Sequence, residues 1–168
     1  MHPNALEYIR RHMPPCGGLR VLEVGSYNVN GAARQVAPPG ATWLGLDLRP
    51  GPGVDIVTDA RAYDGAGQYD LVVCAETLEH CADHAGIIAC AARALRPGGL
   101  LILTAATALR VPHNDDGYPL RPGDVWCPVQ ADELAWLLRD WTDVEIVLNA
   151  DDIYATARWP GAGGHDGR

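Results

Sequence analysis

Four carboxylates and two imidazoles in this chain stand at spacings that can do chemistry. Glu23 precedes a turn that opens on Gly25 and closes on Gly31, and Asp47 follows Gly25 by twenty-two residues. A carboxylate at that separation, ending the next strand of a βαβ unit, is placed to accept hydrogen bonds from a ribose diol. Gly25 lets the backbone turn sharply beside a ligand, and Gly31 permits close packing of helix on strand. A dinucleotide turn would need a middle glycine for its pyrophosphate, and Tyr27 stands there instead. Glu23 also opposes phosphate, whereas it suits an ammonium group. A cationic nucleoside without phosphate fits these residues better than a dinucleotide does.

A second group is Glu76, Glu79 and His80, whose i, i+3, i+4 spacing predicts one shared side of a helical turn. Downstream, His113 is the best single candidate for a general base, with Glu76 and His80 as further catalytic candidates. Glu79, Asp116, Tyr118 and Trp126 are expected, with His113, to line an acceptor pocket. Trp126 reads equally as the anchor that packs this segment down. Tyr27 and Asn28, in the glycine turn, are expected on the cofactor. Two carboxylates and two imidazoles are the donor types for a divalent metal, but the blander reading, loop orientation, is preferred and no metal is assigned.

The elements that must position these groups are readable from hydropathy. A short amphipathic helix opens the chain, with Asn4 and Glu7 as a capping box and Pro14-Pro15 ending it. Apolar strands then alternate with helices: a strand at 19–24, a helix at 31–36, strands at 42–46, 54–57 and 70–74, a helix at 83–95, and a strand at 100–104. Strands this apolar imply a parallel sheet covered by helices on both faces. The aperiodic, proline-containing stretch 105–129 leaves the strand end where open α/β sheets bind ligands, and a loop that long is usually functional. A helix at 131–141 and strands at 144–148 and 153–159 finish the pattern. The last two are joined too tightly for a parallel crossover, so they form an antiparallel hairpin. The expectation is one domain over residues 1–160, with 161–168 a disordered tail.

Composition narrows the partners. The 168 residues carry a formal charge of −8, which disfavours a nucleic-acid backbone. The five cysteines are scattered and odd in number, so buried free thiols are expected rather than disulfides or a zinc knuckle. No membrane-length apolar run or signal-peptide core occurs, which suggests the cytoplasm and no membrane partner.

These motifs, in this order, resemble those of class I S-adenosylmethionine-dependent methyltransferases over roughly residues 19–159. Glu23-x-Gly25 with Gly31 resembles their first motif, and Leu46-Asp47 their ribose-binding acid. Asp59-Ala60 is similar to their adenine-holding pair, Tyr69 to Glu76 to their fourth motif, and Leu95 to Gly99 to the approach to strand five. Asn30-Gly31, Arg34 and Gly53-Val54-Asp55 look closest to a small bacterial and phage-type branch. Similar Glu-x-x-Glu-His segments occur in ubiquinone-biosynthesis O-methyltransferases and in small-RNA 2′-O-methyltransferases, where the segment binds a metal. The resemblance implies a Rossmann-like, doubly wound α/β sheet in three αβα layers, mostly parallel with an antiparallel C-terminal strand. It implies S-adenosyl-L-methionine as cofactor, held by Glu23, Gly25, Ser26, Tyr27, Asn28, Gly31, Asp47, Leu48, Asp59, Ala60, Ala75 and Glu76. The expected reaction is methyl transfer to an oxygen or nitrogen of a small molecule. Alternatives are a protein or glycan acceptor, a non-catalytic cofactor-binding module, and a nicotinamide oxidoreductase, the last opposed by Tyr27.

Overall fold

The computed structural model describes residues 1–161. They form one seven-stranded sheet with helices on both faces. The elements in chain order are α1 (Pro3–His12), β1 (Arg20–Val24), β2 (Thr42–Asp47), β3 (Ile56–Val57), β4 (Tyr69–Ala75), α2 (His84–Ala94), β5 (Leu95–Ala106), α3 (Ala131–Leu137), β6 (Thr142–Asn149) and β7 (Asp152–Arg158). The sheet order is β3-β2-β1-β4-β5-β7-β6. The first five strands pair in parallel, and β7 inserts antiparallel between β5 and β6. The order reverses between β1 and β4, so their C-terminal ends open a crevice there.

Alternation along the strands divides the core in two. Val21, Leu71, Val73, Ile102 and Tyr154 meet Ala5, Tyr8 and Ile9 of α1 on one face. Leu22, Val24, Val72, Cys74, Leu101 and Leu103 meet Ile87, Ile88 and Ala91 of α2, with Leu134 and Leu138, on the other. Both faces are covered, which is why the central strands read as continuous apolar runs. The same alternation turns Glu23 toward the α1 layer, beneath Trp43 and Arg34.

Several local expectations change. The predicted helix at 31–36 is a single 3-10 turn at Ala33–Val36. Six residues before Pro38-Pro39 cannot propagate an α-helix. Its Arg34 instead donates to the Gly53 carbonyl at 2.6 Å and pairs with Asp55, which also accepts from Gly45 N. The Gly53-Val54-Asp55 motif is therefore a brace tying the β2–β3 loop to the first turn. Gly53 itself has φ +90°, and a Cβ there would press on the Ser26 carbonyl at 2.5 Å. The Asn4–Glu7 capping box does not form. His2 is the N-cap, without a side-chain bond, and Glu7 clamps Arg10 and Arg11 at 2.7 Å. Asp83 does cap α2, accepting from Gly86 N at 2.9 Å. The strand of the fifth position is longer than expected, running through Ala105 and Ala106, so the irregular segment begins at Thr107. The expected tail falls mostly on residues 162–168, outside the described residues. Among the described residues the cysteines are free, and no helix is long and apolar enough to cross a membrane.

Candidate active site

Two confluent compartments lie over the C-terminal ends of β1, β2 and β4. The smaller, about 320 Å³, is lined by Leu46, Asp47, Leu48, Thr58, Asp59, Ala60 and Ile87. The larger, about 540 Å³, is lined by Glu23, Ser26, Gly31, Ala75, Arg110, His113, Asp116, Tyr118 and Asp151. Gly25, Tyr27, Val29, Glu76, His80 and Asp115 face both.

The floor of the join is Gly25. Its φ is +75°, and a Cβ there would fall 2.0 Å from Thr77 Oγ1, so only glycine fits. Gly25 N and Ser26 N both donate to the Leu46 carbonyl, at 2.9 and 3.0 Å, which extends the β1–β2 pairing into the turn. Asp47 accepts from Tyr27 N at 3.1 Å and Arg49 N at 3.0 Å. A carboxylate has about four lone-pair sites, so two remain for a diol. Asn28 faces neither compartment. Its Oδ1 accepts from Gly31 N at 2.8 Å and holds the turn closed. Ser26 lines the larger compartment, and its Oγ is buried without a hydrogen-bond partner.

Glu23 is 3% exposed and accepts from Trp43 Nε1 at 2.7 Å, with Arg34 Nε 3.5 Å away. Burial pushes its carboxyl above the ordinary range, opposed by Trp43 and Arg34. Its charge thus has protein partners beneath the compartment that it lines. Asp59 caps a 3-10 turn at Ala60–Ala62 by accepting from Arg61 N. The Arg61 guanidinium holds its carboxyl below the usual range.

Glu76, Glu79 and His80 do not share one side of a helix. Glu76 has φ +54°, and a 3-10 turn begins only at Leu78, so the three diverge. Glu76 enters both compartments, with Thr104 Oγ1 donating to it at 3.3 Å and Arg110 Nη1 3.5 Å away. A left-handed backbone at a non-glycine residue costs free energy and clusters at functional positions. Glu79 lines neither compartment. It is 1% exposed, and its Oε1 accepts from Ala106 N at 3.1 Å. Burial first, and the Glu76 charge second, raise its carboxyl to about 8. The residue ties the turn after β4 to the end of β5 rather than touching an acceptor.

His80, His113 and Trp126 form a ring cluster, with centroids 4.7 to 5.7 Å apart. Trp126 lines neither compartment and anchors the loop against the two imidazoles. The Nδ1–H of His113 is placed to donate to the Val111 carbonyl at 3.0 Å. That tautomer leaves Nε2 as the proton acceptor. Burial, then the charge of His113, lowers the His80 pKa. Among the described residues no group of three or more His, Cys, Asp or Glu could hold a metal ion.

Residues unread in the sequence complete the site. Arg49 stacks on Tyr27 at 4.4 Å and pairs with Asp115 and Asp116 at 3.2 Å. It straps the loop after β5 across the crevice. Arg110, 9% exposed, reaches Glu76, Asp151 and Asp152. Asn114 Oδ1 accepts from the backbone of Asp116 and Tyr118 and shapes the loop tip. His84 joins α2, the loop and α3 through Glu133 at 2.8 Å and the Cys127 carbonyl at 3.1 Å. The ion-pair and hydrogen-bond partners of the Arg49, Arg110 and His84 side chains are each more than thirty residues away, so no local spacing betrays them.

The family model described as "Methyltransferase domain" matches residues 2–141. The ubiquinone biosynthesis O-methyltransferase of Escherichia coli O157:H7 is 34% identical over 115 residues, covering 59% of this chain and 48% of that protein. The chain spans about half the length of the curated relatives it matches. Among solved structures, N-methyltransferase NodS from Bradyrhizobium japonicum WM9 in complex with S-adenosyl-L-homocysteine has a TM-score of 0.66 at 22% identity, covering 94% of this chain and 86% of that one. The Burkholderia thailandensis 1,6-didemethyltoxoflavin-N1-methyltransferase, with bound 1,6-didemethyltoxoflavin and S-adenosylhomocysteine, has a TM-score of 0.68 at 18% identity, covering 94% and 77%. The chain belongs to the methyltransferase domain family, among the class I enzymes whose cofactor is S-adenosyl-L-methionine.

Proposed function

We propose that this chain transfers a methyl group from S-adenosyl-L-methionine to an oxygen or nitrogen of a small molecule. The observation that carries the reading is the pair of confluent compartments joined at Gly25, Glu76 and His80. The smaller is built for a nucleoside. Asp47 keeps acceptor capacity for a ribose, Leu48 and Ile87 supply apolar walls, and Asp59 with Ala60 closes the far end. The cofactor's sulfonium supplies an activated methyl carbon, and the larger compartment holds the acceptor in line with it.

The residues then do two things. Asp47, Gly25 and the Arg49 strap fix the cofactor's place, and alignment alone supplies much of the acceleration in such displacements. His113 Nε2, with His80 beside it, takes the acceptor's proton, an effect of roughly 10²–10⁴-fold. Glu76 orients the acceptor from the floor, and Asp116 and Tyr118 border it from the loop. A cytoplasmic setting without nucleic-acid or membrane partners belongs to the same reading.

The test is calorimetry with S-adenosylmethionine against NAD, followed by methyl-transfer assays over an acceptor panel. Binding of the former with turnover is expected. Binding of NAD alone, or cofactor binding with no turnover on any acceptor class, would overturn the proposal in favour of an oxidoreductase or a binding module.

A further inference from the structure

We propose that the acceptor is amphipathic, with its reacting oxygen or nitrogen over the charged floor of the larger compartment and an apolar part held at the mouth by Val29, Val111 and Tyr118. This deepens, and rests on, the reading of that compartment as the acceptor site. Its polarity is inverted from bottom to top. Glu23, Ser26 and Arg110 line it and are buried, whereas Val29, Val111 and Tyr118 line it and are 46%, 79% and 61% exposed. Pro112 and Pro119, also exposed, continue the same rim. Single apolar side chains on a surface are ordinary, but several gathered around one cavity mark a place where an apolar group is to be covered.

The rim is held in place by the backbone beneath it. Val29 stands in a turn that Asn28 closes, with Oδ1 accepting from Gly31 N and Asn28 N donating to the Pro52 carbonyl, both at 2.8 Å. Val111 follows the ion-paired Arg110, and the His113 ring is placed to donate to its carbonyl at 3.0 Å. Tyr118 is pinned by Asn114, whose N donates to the Tyr118 carbonyl at 2.7 Å and whose Oδ1 accepts from Tyr118 N at 2.9 Å. The loop thus turns the polar Arg110 and Asn114 inward and its apolar side chains outward, the reverse of what burial free energy favours. A fixed backbone lowers the ordering cost of the contacts that a ligand makes there.

Position decides what covers the rim. Its three side chains line the same space as Glu76, His80 and His113, so a molecule whose heteroatom reaches His113 meets them as well. They come from two sides, the turn after β1 and the loop after β5, as contact with an object seated between them requires. A compartment of about 540 Å³ holds a drug-sized molecule. The formal charge of −8 opposes an anionic lipid surface as the alternative occupant. An acceptor polar throughout gains nothing from the rim. One with an alkyl or aryl part beside its nucleophile gains binding at both ends, and the rim then selects among acceptors.

The experiment uses the whole chain, with S-adenosylhomocysteine binding established first by calorimetry. If that binding fails, the cofactor reading fails and this proposal falls with it, a result visible before any probe is added. The saturated protein is then titrated with 1-butanol, 1-hexanol, 1-octanol and 1,8-octanediol, following amide signals of Val29, Val111 and Tyr118. Affinity should rise about two- to threefold per added methylene, as partial burial of each gives, and the diol should bind about tenfold more weakly than octanol. Val111→Ser and Tyr118→Ser, at exposed positions where folding is spared, should each lower octanol affinity about threefold and leave S-adenosylhomocysteine affinity unchanged. Leu148→Ser, on exposed β6, should change neither. An affinity independent of chain length, equal binding of the diol, or rim variants no different from Leu148→Ser would overturn the proposal and leave the cofactor reading standing. So would rim variants that keep the alkanol series but lose self-association in sedimentation or binding to lipid vesicles, since the rim would then belong to a second copy or a lipid surface.

Discussion

The two compartments that meet at Gly25 are built in opposite ways. The Asp47 side is made of strand ends, and backbone amides of Gly25, Ser26, Tyr27 and Arg49 lock it to β2. The His113 side is made of a long irregular segment, held by side chains that reach across the fold: Arg49 to Asp115 and Asp116, Arg110 to Asp151 and Asp152, and His84 to Glu133. The first is a fixed receptacle, set when the sheet forms. The second has its geometry decided by ion pairs between distant segments, and is therefore open to change without loss of the sheet. A constant cofactor and a variable acceptor call for that division.

The largest effect expected is at the join. Gly25→Ala forces a left-handed alanine against Thr77, and should cost about 3 kcal/mol of stability. Chemical denaturation would report it, and an unchanged midpoint would mean that the turn relaxes freely. Asp47→Ala comes next. It removes a charged acceptor for a diol and the anchor of two backbone amides, so cofactor affinity should fall about 100-fold or more by calorimetry. If affinity holds, the fixed compartment is not the ribose site. On the other side, His113→Ala should leave cofactor affinity unchanged and lower kcat by about 10²-fold. A matched loss of binding would erase the contrast between the compartments.

Beneath the loop, Glu79 predicts a pH effect with a definite sign. Its folded pKa, about 8, lies above the ordinary carboxylate value, so the folded state holds its proton longer. The stability it contributes is full below about 4.3 and is lost as pH rises through about 8. Melting temperature should decline over that window in the wild type and less steeply in Glu79→Gln. Parallel slopes would show that the buried acid is not the cause. The smallest effect belongs to Arg49→Ala. The strap is partly exposed, and such pairs are worth about 1 kcal/mol or less. KM for the cofactor should rise about two- to fivefold, and the variant should lose the salt dependence of the wild type.

Strand polarity, the order of elements and the ends of β1, β2 and β4 were open to reading in the sequence because each depends on local alternation and on glycine. The terminal hairpin was also legible, since the four residues between its two expected strands are too few for a parallel crossover. So were Gly25, Asp47 and the turn between them, where the separation along the chain is set by one supersecondary unit. Local pattern misled where backbone geometry broke its period. The left-handed Glu76 separates Glu76, Glu79 and His80, and the six residues before Pro38-Pro39 are too short for a helix.

By itself the sequence determined a doubly wound sheet, a ligand site at its strand ends, and a turn that prefers a nucleoside without phosphate. Only the tertiary structure decided which charges face one another: Arg49 on the loop, Arg110 among three acids, Glu79 out of the site altogether. The reason is physical. Hydrophobic period and glycine act within a few residues, whereas an ion pair or a burial cost exists only once chain segments far apart in sequence have been brought to the same place.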